Sequence, residues 1–201
     1  MSETLTLKIL EAIEKSPAGI ASLDVLVSLR LCDAFTLKTI LSRLNKRKKI
    51  LRLKRGVYST NPLKDAFAAA QATFGGYLAF STALYLHKII SETPFTIYVA
   101  TTNTSLSKTV GQYVFKAVAL GEKAVGFERK EIYVLSTKPK TLFDCIYLSK
   151  YSVEEEKLTD EFKEAELNSK EWKEFNIYVK KFVNMKNRNK FYEIRNTIMG
   201  D

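Results

Sequence analysis

Hydrophobic residues recur at helical spacing through three successive segments of this chain and then switch to strict alternation, so residues 1–60 read as three helices followed by a β-hairpin. Leu5, Ile9, Leu10 and Ile13 define the first helix, which the turn cluster Ser16-Pro17-Ala18-Gly19 ends. Ser22 is the candidate cap of a second helix carrying Leu23, Leu26 and Val27, with Asp24 in its first turn, where the helix dipole favours an acid. After a break at Leu31-Cys32-Asp33, Asp33 is placed to cap a third helix whose apolar face is Leu37, Ile40, Leu41 and Leu44. The opposite face presents Phe35, Lys38, Thr39, Ser42, Arg43 and Lys46. Ile50, Leu51-Arg52-Leu53-Lys54 and Val57-Tyr58-Ser59 then alternate around Arg55-Gly56, where glycine supplies the positive φ of the turn.

Three short helices and a basic hairpin are the order of a winged helix-turn-helix, and the distribution of charge agrees. The formal net charge is +10, of which residues 1–60 hold +7, residues 61–152 hold +4, residues 153–176 hold −5 and residues 177–201 hold +4. Between Lys38 and Arg55 stand nine cations (Lys38, Arg43, Lys46, Arg47, Lys48, Lys49, Arg52, Lys54 and Arg55) and no acid. A polyanion is therefore the first partner to test, and double-stranded DNA is the partner such a helix and wing fit. Lys38, Thr39, Ser42, Arg43, Lys46 and Arg47 are the expected groove-facing residues, with Lys54 and Arg55 holding phosphate at the wing tip. A solvated surface or a protein-interaction module is the competing reading of the same cations. Phe35 reads as a packing residue at the helix entry, with a thymine-methyl contact as the alternative, and Cys32 as a buried small apolar residue.

Residues 61–152 mix helices and strands without a βαβ rhythm, which predicts an α+β domain with a small, mostly antiparallel sheet. Asn61 and Pro62 suit the start of an alanine-rich helix, and Ser81 suits the cap of a short helix reaching Lys88. Strands are expected at Phe95–Thr101, Tyr113–Ala119 and Ile132–Leu135, and a helix over Lys140–Lys150. Residues 153–201 read as a helical C-terminal extension. One charged helix begins at Glu154-Glu155-Glu156, a second is capped by Ser169 and carries Trp172, Phe175, Ile177, Val179 and Phe182, and a basic helix runs over about Arg188–Met199.

Catalytic chemistry has little to draw on. His87, the single histidine, falls on an apolar-periodic helix, and from Ala66 to Phe143 there is no Asp and only Glu92, Glu122, Glu128 and Glu131. Glu128-Arg129-Lys130 has the E-x-K spacing of one nuclease class but no upstream Asp in the same segment. Neither a phosphate-cradling nor a dinucleotide glycine run occurs. Cys32 and Cys145 are far apart and have no partners at metal-ligand spacing, a usage that fits a reducing compartment. The N-terminus lacks a basic signal region, and no apolar run approaches the roughly 18 residues of a membrane span. The expectation is a cytoplasmic protein, not an enzyme, with no cofactor, no metal and no membrane partner.

One combination of motifs resembles a known family. After the winged-helix pattern come Arg55-Gly56-Val57-Tyr58, then Gly76-Tyr77 with Ser81, Ala83-Leu84 and His87, then Pro94-Phe95-Thr96-Ile97-Tyr98-Val99-Ala100, and then Val134-Leu135-Ser136 with Lys140-Thr141-Leu142-Phe143-Asp144. Their order and spacing, over about residues 5–150, resemble the AbiEi antitoxin family. Its members are bacterial and archaeal transcriptional regulators paired with a nucleotidyltransferase-like toxin in abortive-infection (type IV toxin-antitoxin) operons. The resemblance implies a repressor of its own operon, binding promoter repeats through the N-terminal domain, with a homodimer on the DNA as one arrangement. It also implies antitoxin activity, against that toxin or its target, in the second domain. Residues 153–201 lie outside the resemblance. Lys140, Thr141 and Asp144 stand either as a partner site or, by helix-start chemistry, as a cap and dipole balance.

Overall fold

In the computed structural model, which describes residues 2–200, the N-terminal helical segments form α1 (Ser2–Lys15), α2 (Leu23–Ser28) and α3 (Ala34–Lys46). Ser22 Oγ accepts the Val25 N–H, and one Asp33 carboxylate oxygen accepts those of Phe35 and Thr36, so α2 and α3 begin where their first-turn donors find partners. A three-stranded antiparallel sheet of order β1-β3-β2 closes this part, with β1 (Ile20–Ser22) added to the expected hairpin of β2 (Ile50–Lys54) and β3 (Val57–Thr60). Gly56 has φ +75 at the hairpin turn. Ile9, Ile13, Leu26, Leu37, Leu41, Leu44 and Ile50 fill one core. Cys32 is half-buried at its margin rather than interior.

The rest of the chain gives α4 (Ala66–Phe74), β4 (Tyr77–Leu78), α5 (Ser81–Leu86), β5 (Thr96–Thr101), β6 (Leu106–Val110), β7 (Tyr113–Ala119), β8 (Phe127–Lys130), β9 (Tyr133–Ser136) and α6 (Lys138–Tyr147). Helices and strands are interspersed, a mixed α+β arrangement. The sheet is larger and more mixed than expected, with six strands in the order β6-β7-β5-β4-β9-β8. The β5/β7 and β4/β9 pairs are parallel and the other three antiparallel. The added strands were hidden for physical reasons. β4 is two residues long, while β6 and β8 are edges whose exposed positions carry Ser107, Thr109, Glu128, Arg129 and Lys130, residues that protect an edge but erase hydrophobic alternation.

Several helix starts also differ. Asn61 does not cap a helix, its side-chain amide donating to the Lys48 carbonyl (2.6 Å), and α4 is instead capped by Asp65, whose carboxylate accepts the Ala68 N–H. Ser81 is the first residue of α5 rather than its cap, a position held by Phe80 at φ +56 without a side-chain bond. Thr137 caps α6, two residues earlier than expected, and Asn168 rather than Ser169 forms a capping box with Glu171 at the start of the helix Ser169–Phe182.

Helices α7 (Glu155–Ala165), α8 (Ser169–Phe182) and α9 (Arg188–Met199) are not an appendage. Leu158, Phe162, Phe175, Val179 and Phe191 share one core cluster with Tyr77, Phe80, Leu142 and Phe143. On α8, Tyr178 takes the interior position, and Ile177 points to solvent. A third cluster joins the hairpin to the sheet. Leu53, freed by a bulge between Arg52 and Lys54, packs with Ala69, Ile97 and Phe115, and Lys108 Nζ donates to the Arg52 (2.9 Å) and Leu53 carbonyls. No helix among the described residues is long and apolar enough to cross a membrane.

Gly76 is the tightest backbone approach. It has φ +84, and a Cβ there would stand 2.1 Å from the Ala100 carbonyl oxygen across the β4/β5 pairing. Gly76→Ala is expected to cost about 2–3 kcal/mol, combining left-handed strain with overpacking, read as a shift of the urea midpoint.

Candidate nucleic-acid interface

Residues of α3 divide by helical phase. Leu37, Leu41 and Leu44 are buried, while Phe35, Lys38, Ser42, Arg43 and Lys46 are exposed on the outward side and Thr39 is half-buried between them. Arg47 caps the C-terminal end of α3 and is exposed, and Lys54 and Arg55 are exposed at the β2/β3 turn. No carboxylate interrupts the chain between Asp33 and Asp65. None of the nine cations from Lys38 to Arg55 enters an ion pair among the described residues. The flanking Asp33 carboxylate is occupied as the cap of α3, and the Thr36 hydroxyl first, with the Thr36 and Phe35 N–H groups, holds it below the ordinary carboxylate range.

Helix and hairpin are fixed to one another. Asn45 Oδ1 accepts the Arg52 N–H (3.0 Å), and Leu44 and Ile50 lie in the same core. The Leu23 N–H donates to the Gly56 carbonyl (2.7 Å), which anchors the turn carrying Lys54 and Arg55 to the start of α2. The Thr39 hydroxyl donates to the Phe35 carbonyl (3.0 Å), so its outward chemistry is that of an acceptor. Phe35 overturns its expected packing role, because it stands in the open on the cationic side of α3, in phase with Thr39, Ser42 and Lys46. Helical phase already placed it there.

Lys140, Thr141 and Asp144 lie elsewhere, in the interior of the second core. Lys140 and Asp144 form an ion pair with side chains 0% and 1% exposed. The Lys140 ammonium also faces the Phe143 and Tyr178 rings at 5.4 and 5.9 Å. Burial pushes the Asp144 carboxyl up to about 6 against the pull of Lys140, and burial likewise lowers Lys140. Asp144 Oδ2 is buried without a hydrogen-bond partner. Thr141 does not cap α6. Its hydroxyl shares a 2.7 Å hydrogen bond with Ser136 Oγ and donates to the Thr137 carbonyl, tying α6 to β9.

Glu128 and Lys130 border a polar cleft of about 370 Å³ with His87, Glu171 and Glu174. His87 Nε2 is 2.7 Å from the Ser136 carbonyl oxygen, Glu171 completes the α8 capping box, and Glu174 accepts from Thr137 and Tyr178. No group of three or more His, Cys, Asp or Glu side chains converges at metal-binding spacing among the described residues. No family model matches the chain, and no curated protein matches it.

Proposed function

We propose that the chain is a DNA-binding transcriptional regulator whose residues 1–60 form a winged helix-turn-helix, with α3 as the groove helix and the β2/β3 hairpin as the wing. One observation carries this reading. The outward side of α3 and the hairpin tip offer Lys38, Arg43, Lys46, Lys54 and Arg55, all exposed and unpaired, in a stretch without carboxylates. An α-helix of this width enters a major groove, and cations at its flank and on a wing neutralise phosphates. On the motif resemblance, residues 61–152 form an AbiEi-type domain, cytoplasmic, acting without cofactor or catalysis against a nucleotidyltransferase-like toxin or its target.

The decisive experiment is a footprint on the chain's own upstream DNA together with duplex affinity as a function of salt. Specific protection of repeats and a steep salt slope are expected, and affinity indifferent to salt would overturn the assignment. Lys54→Ala and Arg55→Ala are each expected to lower that slope by about one and to weaken all sequences alike, since phosphate contacts carry no sequence information. The antitoxin half is tested separately by co-expressing the chain with an adjacent nucleotidyltransferase-like gene. Restored growth supports it, and unrelieved toxicity removes it.

A further inference from the structure

Phe35 is 82% exposed, the largest exposure among the big apolar side chains of the described residues, and it is the second residue of α3. Its backbone is fully committed, the N–H to Asp33 and the carbonyl to the Thr39 hydroxyl, so the ring projects from a fixed base. It lines an open groove of about 920 Å³ between α1 and α3 together with Leu7, which is 58% exposed, and with Arg43 and Arg47. A bare ring at the head of a cationic stripe suits one kind of surface, which is polyanionic overall and apolar at a single point.

We propose that Phe35 reads a thymine C5-methyl group in the major groove, so that the DNA site carries a thymine facing the start of α3. This rests on α3 being the groove helix. The N-terminal residues of such a helix are the ones that reach base edges. Every major-groove edge presents donors and acceptors, and its only apolar group is the thymine methyl. A phenyl ring set against any other edge strips water from a polar atom and returns no hydrogen bond, whereas against the methyl it buries apolar surface on both sides. Phe35 therefore acts as a specificity residue at the head of the groove-facing cations of α3, with Lys54 and Arg55 on the hairpin supplying phosphate affinity.

The test starts from duplexes selected by the full chain out of a randomised pool, followed by replacement of each thymine singly with deoxyuridine, which removes only the methyl. One thymine position is expected to lose about fourfold in affinity, the value of one buried methyl, with the salt slope unchanged. Phe35→Ala is expected to bind the thymine and uracil duplexes equally, and Phe35→Leu to keep part of the difference. Neither variant threatens folding, because the ring is outside the core. The proposal is overturned if no uracil swap matters, if the discrimination survives in Phe35→Ala, or if salt-dependent binding occurs without any enriched sequence. It also falls if Phe35→Ala changes the sedimentation of the free chain while leaving thymine discrimination intact, since the groove would then be a protein interface. Absence of duplex binding altogether removes the groove helix itself, a different failure.

Discussion

Replacing Arg43 and Lys46 together with alanine is expected to weaken binding to the selected duplex by roughly a hundredfold near physiological salt, and to lower the salt slope by up to about two. The size follows from the contacts such side chains make. An arginine paired with a guanine edge is worth about 1–3 kcal/mol, and a lysine on phosphate contributes through released counterions. Folding is expected to be unchanged, because both side chains are exposed, neither is in an ion pair, and alanine favours a helix. Lys180→Ala with Lys181→Ala is the matched control, since it removes the same two charges from exposed positions on α8. If both pairs weaken binding equally, the attraction belongs to the net charge of the chain and not to α3.

The parts of this fold that could be read from the amino acids are those settled within one turn of chain. Ser22 and Asp33 cap their helices because the donors they satisfy lie two or three residues away, and Arg55-Gly56 turns the hairpin because only local backbone geometry is involved. Long-range chemistry defeats such reading. Asn61 has the residue type of a cap, but its side chain reaches back to a carbonyl thirteen positions away and the next helix begins only after Asp65. Lys108 sits in a polar stretch that reads as a turn, yet it lies on a strand and holds the outer carbonyls of β2. The candidate interface was legible because it is a surface of one helix and one hairpin, and helical phase sorts such a surface. Phe35 shows how residue type can mislead, since its phase put it outside while its hydrophobicity argued for packing.

Lys140 is the opposite case, a cation whose spacing from Asp144 fits an ordinary surface pair but whose neighbours Leu142, Phe143, Cys145 and Ile146 are all buried. Lys140→Met is expected to destabilise the chain by about 3–5 kcal/mol at pH 7.5, because it leaves the Asp144 carboxylate in the interior without its counter-charge. Lys140→Met combined with Asp144→Val is expected to recover most of that loss, since an apolar pair of similar volume carries no desolvation cost. The pH dependence separates a charge effect from a packing effect. Asp144 has a folded value raised from 3.8 to about 6, so the folded chain holds a proton that the unfolded chain has released. Its contribution to stability is therefore present below 3.8 and is lost as pH rises through about 6. With Lys140 removed, the carboxyl is held protonated to higher pH still, and the cost of Lys140→Met is expected to shrink when urea unfolding is repeated at pH 5. A double variant as unstable as the single one, or a cost equal at both pH values, would show that Lys140 matters for its volume and not for its charge.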